Sequence, residues 1–132
     1  MVVMPLRALG VDTPLNELKA DLFKALAHPV RVRALELLTI GPRAVADMLT
    51  ETGMEASHLS QHLSVLRRSG LVTAQREGNT VTYRLAHPEV AQLLTVARAV
   101  LVQALGTSTD VLAELLQQDD QPSSDQPGRG AL

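Results

Sequence analysis

The chain has 132 residues, 45% of them apolar but only 2% aromatic, which suits one domain with a core of Leu, Val and Ala. It contains no cysteine, so disulfides, thiolate metal sites and thiol redox switches are excluded. The net charge of −2 rules out a uniformly basic surface, yet the charge is unevenly spread: four arginines face two acids between Met54 and Ala86, and five acids face Arg129 from Gly106 onward.

Residues 1–12 show no period and are read as a flexible N-terminal arm. They lack the basic region, long apolar run and small-residue cleavage site of a signal peptide. Thr13 is expected to cap a first helix with Pro14 at its first position, and Leu15, Leu18, Leu22, Phe23 and Leu26 give that helix an apolar face. His28-Pro29 breaks it and opens a second helix to about Thr39, carrying Val30, Leu35, Leu37 and Leu38. After Gly41-Pro42, a short third helix is expected from about Arg43 to Glu51, burying Val45, Met48 and Leu49, and Gly53 closes it.

The helix that follows, between Met54 and Gly70, has an unusual polar face. Leu59, Leu63 and Leu66 share one side at i, i+4, i+7, while Ser57, Ser60, Gln61, Ser64 and Arg68 line the other. A solvated face would carry Glu and Lys. Short hydroxyls, a bidentate amide and an arginine are instead the groups that meet base edges and phosphates from a helix in the DNA major groove. Two short helices joined by a Gly-containing turn, the second polar-faced, have helix-turn-helix grammar.

Beyond Gly70 the period changes from 3.6 to 2. Val72 and Ala74 alternate with Thr73 and Gln75, and Val81, Tyr83 and Leu85 alternate with Thr82 and Arg84. Glu77-Gly78-Asn79-Thr80 between them predicts a two-residue hairpin whose central pair tolerates positive φ. A helix-turn-helix followed by a hairpin is a winged helix. His87-Pro88 starts a last long helix, and its Val90–Leu105 stretch is too short and too polar to span a bilayer. That stretch is apolar on more than one stripe, more than a small domain can cover. A second copy is the expected cover, with Leu15, Leu18 and Leu22 of the first helix and Leu93, Leu94, Ala97, Val100, Leu101 and Leu105 of the last long one at the dimer interface. A short sixth helix with Val111, Leu112, Leu115 and Leu116 follows, and 117–132 is read as a disordered tail. The expectation is a mainly α, winged helix-turn-helix homodimer with five to six helices and one domain over 13–116.

Leu22 to Leu94 resembles the bacterial ArsR/SmtB family of winged-helix repressors, through Phe23–Leu38, Ser57–Val72 and the wing Arg76–Leu85. The resemblance implies a cytoplasmic, non-enzymatic regulator: a homodimer that binds a palindromic operator and releases it when an effector binds. It implies base and phosphate contacts from Ala56, Ser57, Ser60 and Gln61. Arg67, Arg68, Arg76 and Arg84 are then placed for phosphates, and Asn79 at the wing tip for the minor groove.

Many relatives sense metal through a Cys-x-Cys pair, which falls here on Ala44-Val45-Ala46. A second metal pattern of the family falls on His87, Glu89, Val100 and Gln103, where valine cannot ligate. His87 and Glu89 are the donors left, and they read as helix-start residues. No metal or other cofactor is expected, and the effector is unassigned. His58 and His62 have i, i+4 ligand spacing but lack the zincin glutamate, and His62 borders the leucine face. Serines and histidines on one helix, with no orienting acid and no oxyanion turn, do not make a hydrolase. Two alternatives stand: a winged-helix module for protein association alone, and a MarR-like regulator with a small organic ligand.

Overall fold

His28 opens the second helix with its own side chain. Its Nδ1 accepts from the Val30 N–H at 3.1 Å, directly ahead of Pro29 at the first helical position. The computed structural model describes residues 13–106 and 109–120. Among these the order is α1 (Leu15–Leu26), α2 (Pro29–Ile40), β1 (Arg43–Ala44), α3 (Val45–Thr52), α4 (Ala56–Arg68), β2 (Val72–Glu77), β3 (Thr80–Leu85), α5 (Glu89–Leu105) and α6 (Thr109–Asp120). This is a winged helix-turn-helix, with α3 and α4 as the helix pair and β2–β3 as the wing.

Several boundaries differ from the expectation, each for a local reason. Thr13 does not cap α1: Pro14 is the capping residue, extended at ψ 147°, and its carbonyl accepts from Glu17 and Leu18 N–H at 3.0 and 3.2 Å. Arg43 and Ala44 are not the start of α3 but a strand, paired antiparallel with Tyr83 and Thr82 in a sheet of order β1-β3-β2. Two extended residues carry no alternation of their own, so β3 defines this strand. At the wing tip only Gly78 takes positive φ, at 63°, and Asn79 does not. At the other end α6 runs four residues past the expected end at Leu116, to Asp120, through Gln117 and Gln118, which are good helix formers. The tail expected from 117 thus begins inside a helix; 121–132, like the expected arm at 1–12, lies outside the described residues.

The core gathers Ala34, Leu35, Leu37 and Leu38 of α2, Met48 of α3, Leu59, Leu63 and Leu66 of α4, Leu71, Val72 and Tyr83 of the wing, and Val90 of α5. Leu22 and Leu26 of α1 pack against its edge. The α4–β2 corner is closed by backbone bonds. Gly70 N–H donates to Arg67 C=O and Leu71 N–H to Leu66 C=O, both at 3.0 Å, with Gly70 at φ 80°. This is a Schellman cap, and the buried pair Leu66 and Leu71 completes its apolar contact. Leu71 C=O then accepts from Ala86 N–H at 3.0 Å, tying the base of the wing shut.

On α5 the apolar surplus is real: Val96, Val100 and Leu101 are each more than half exposed, at 58, 59 and 56%. Leu94 packs on the core, whereas Leu15 of α1 is exposed. No helix among the described residues is long and apolar enough to cross a membrane.

Candidate nucleic-acid interface

The leucine spacing of α4 orients everything else on it. Leu59, Leu63 and Leu66 are at most 1% exposed, so the helix is held by one face and the opposite face is turned out. Ala56, Ser57, Ser60, Gln61, Arg67 and Arg68 are exposed, and Ser64 is half-buried. Glu55 caps α4 and lies 3.7 Å from His58, the first turn itself contains no acid, and the last turn holds Arg67 and Arg68, so the cationic end of the helix is the one beside the wing. Ser57, Ser60 and Ser64 form no side-chain hydrogen bond among the described residues, so their hydroxyls are not committed to the fold.

The hairpin register decides which wing residues join this face. Ala74 and Arg76 of β2 are in register with Tyr83 and Val81 of β3, so these four share one side of the sheet. They border a cleft of about 600 Å³ between α3, α4 and the wing, rimmed by Ser60, Arg67, Arg76 and Asn79 over a floor that includes Leu63 and Tyr83. Four of the expected contact residues therefore surround one concavity. Arg84 does not join them: its register partner is Thr73, which puts it on the other side of the wing. Ala56, Ser57, Gln61 and Arg68 lie on the outward surface of α4 outside the cleft.

Charge follows the same geometry. Among the described residues, ion pairs join Arg33 to Glu36, Arg43 to Glu51 and His58 to Glu55, and none of them involves a cleft arginine. Arg67, Arg68, Arg76 and Arg84 pair with no described carboxylate. Arg76 reaches only the Gly78 carbonyl, at 3.5 Å. Three of these guanidinium groups, those of Arg67, Arg68 and Arg76, flank the exposed hydroxyl-bearing helix, and they suit a polyanion whose backbone carries regular negative charge.

No group of three or more His, Cys, Asp or Glu side chains among the described residues is arranged to hold a metal. His87 and Glu89 are exposed at the start of α5, and Ala44-Val45-Ala46 lie at the cleft edge without donor atoms. His28 and His62 do meet, with ring centroids 4.2 Å apart. However, the Nδ1 of His28 accepts from Val30 N–H and that of His62 from Arg31 Nε–H at 3.3 Å. Each neutral ring then carries its proton on Nε2, the nitrogen a metal would need unprotonated. Sequence reasoning placed His28 at the helix opening and His62 on the border of the leucine face but missed Arg31, which donates to His62 and to the end of α1; its signal is a cation three residues after His28, on the first turn of α2.

Comparison with known proteins agrees with this geometry. The family model described as bacterial regulatory protein, arsR family, matches residues 28–74. The HTH-type transcriptional regulator Rv0081 of Mycobacterium tuberculosis is 50% identical over 103 residues, covering 77% of this chain and 90% of its own. Its crystal structure aligns with a TM-score of 0.67 over 73% of this chain and 97% of that one. The homodimeric winged helix-turn-helix DNA-binding domain of Mb0332 from Mycobacterium bovis, a possible ArsR-family regulator, is 35% identical, with a TM-score of 0.65 over 82% of this chain and 96% of that one. A biofilm growth-associated repressor of Xylella fastidiosa is 39% identical over 75 residues, 57% of this chain and 66% of its own length.

Proposed function

The chain belongs to the arsR family of bacterial regulatory proteins, DNA-binding transcriptional regulators rather than enzymes, and from that premise we propose how it works. It acts as a repressor that binds a palindromic operator as a homodimer, in the cytoplasm where the chromosome lies, and lets go when an effector binds. The observation that carries this reading is the outward face of α4, where Ser57, Ser60 and Gln61 stand exposed opposite three fully buried leucines. Gln61 offers an amide suited to bidentate recognition of adenine, and the two serines suit phosphate or base edges. Arg67 and Arg76 across the cleft, with Arg68 behind them, neutralise the phosphates on either side, and Asn79 reaches toward the minor groove. Arg84, on the far side of the wing, is the expected contact with the least support.

The dimer reading rests on the uncovered apolar surface of α5, Val96, Val100 and Leu101 above all, and on exposed Leu15 of α1. Pairing through these helices would set two α4 helices about one DNA turn (~34 Å) apart, as a two-fold symmetric operator demands. The test is selection of bound fragments from the source genome followed by footprinting. Two protected half-sites one turn apart are expected. A single unpaired footprint would remove the dimeric reading, and salt-independent or absent binding would remove the operator. Metals and small metabolites screened for release of the bound fragment would then identify the effector.

A further inference from the structure

We propose that Arg31 and His62 form a positioning pair that fixes the recognition helix α4 relative to α1, so that operator binding weakens when His62 takes up a proton. The inference rests on the reading of α4 as the DNA-contacting helix.

One guanidinium ties three helices together. Arg31, on the first turn of α2, donates from Nε to His62 Nδ1 at 3.3 Å. Its Nη1 donates to the Ala25 and Lys24 carbonyls, at 3.0 and 3.4 Å, in the last turn of α1. It thereby satisfies the Ala25 carbonyl, one of those a helix end leaves without a backbone partner, while the Lys24 carbonyl also accepts from Ala27 N–H at 3.1 Å. The His28 ring, fixed by its cap to Val30, rests against His62 at 4.2 Å and 41°. His62 lies on the flank of α4 away from Ser60 and Arg67, so the pair holds the helix from behind while its front stays free. Because α1 also offers Leu15 to a second subunit in the dimer reading, the pair lies between the subunit contact and the DNA face.

The bond to Arg31 exists only while His62 is neutral. The lone pair on Nδ1 accepts from Arg31, so a second proton would fall on Nδ1 and oppose the Arg31 N–H. The groups facing His62 offer that proton no compensation. From α2 and its capping residue come Arg31 and His28, and from α4 itself His58; α1 contributes backbone carbonyls, those of Lys24 and Ala25, to the same guanidinium. The nearby carboxylate, Glu55, sits 3.7 Å from His58. Burial first, and then the neighbouring His28, Arg31 and His58, hold the His62 imidazole below its usual range. Acid therefore breaks the tether instead of strengthening it.

The test uses the full chain with two variants, His62→Gln and Arg31→Ala. Glutamine keeps an oxygen for Arg31 Nε and cannot titrate. Binding to a fragment selected by the wild-type protein is followed by fluorescence anisotropy from pH 7.5 to 5.5 at constant ionic strength. In parallel, ¹⁵N–¹H spectra of the free protein report the His62 tautomer and the α4 amides. The wild type should lose affinity by about tenfold across this range, as expected for loss of one hydrogen bond to a charged group, while His62→Gln changes by no more than about twofold. Arg31→Ala should bind roughly tenfold more weakly at pH 7.5, with α4 amides shifted and helical content retained. His62 should carry its proton on Nε2.

A His62→Gln profile parallel to wild type would overturn the proposal, as would a proton on Nδ1 at pH 7.5, or Arg31→Ala leaving both affinity and α4 shifts unchanged. Should Arg31→Ala fail to fold, the glutamine profile and the wild-type tautomer decide by themselves. Wild-type protein that selects no DNA would overturn the operator reading instead, and the tautomer and amide shifts would still decide the pair.

Discussion

Arg76 and Arg84 point to opposite sides of the same hairpin, because Arg76 is in register with Val81 and Arg84 with Thr73. Arg76 faces the cleft beside α4, and Arg84 faces away from it. Replacing Arg76 by Ala should weaken binding across all sequences and reduce the salt slope by about one charge. Replacing Arg84 should do neither. Titrations over a range of salt compare the two, and an equal effect of both would show that DNA contacts the wing on both sides.

Ser60 and Gln61 are neighbours with different surroundings. Ser60 rims the cleft, and Gln61 lies outside it on the outward surface of α4. Gln61→Ala should relax preference at one base pair by about 1–3 kcal/mol, leaving non-specific affinity unchanged. Ser60→Ala should lower affinity more evenly if its hydroxyl meets phosphate. Binding to a panel of single-base operator variants separates these outcomes, and unaltered discrimination in Gln61→Ala would count against base reading by this helix.

Leu63 lies at the centre of α4, 1% exposed and also beneath the cleft. Leu63→Ala should cost about 2–5 kcal/mol of stability through lost burial and a residual cavity. Urea unfolding measures this directly. A loss under about 1 kcal/mol would mean that the site collapses around the smaller side chain.

His62 also makes stability depend on pH. Its folded-state pKa is lowered from 6.5, so the unfolded chain binds the proton more readily. The stability linked to this group is complete above about pH 6.5 and declines as the pH falls toward the lowered folded value. The urea midpoint should drop with acidification through this window in the wild type and less in His62→Gln. Equal drops in both would assign the effect to other groups.

Val100 stands 59% exposed on α5 beside Val96 and Leu101. Under the proposed pairing, Val100→Glu should convert a dimer to monomers by burying an unpaired charge. Sedimentation at micromolar concentration would show it, and an unchanged mass would move the interface elsewhere.

Much of this architecture is written in local pattern. Gly53, Gly70 and Gly78 mark the ends and turns, the leucines of α4 identify its buried side, and the switch to period 2 announces the wing. The opposition of Arg76 and Arg84 is itself legible: with a two-residue turn at 78 and 79, alternation assigns the two arginines to different sides. What local pattern does not carry is contact at a distance. β1 exists because β3 offers a partner, not because Arg43 and Ala44 prefer extension. The Arg31–His62 bond joins positions 31 residues apart, and only the packing of α2 on α4 brings them together. The surplus on α5 was visible as excess hydrophobicity, but which part of it the monomer covers follows from where the core ends.

The Schellman cap at Gly70 leaves no slack between α4 and the wing. The backbone bonds from Gly70 and Leu71, and the clasp between Ala86 and Leu71, make helix and hairpin one rigid head. Such a head can change its preferred sequence by exchanging surface side chains, but its stride along a duplex is set by the fold. Inserting a single residue at Ser69 would break that geometry and misalign helix and hairpin together, even with every contacting side chain intact.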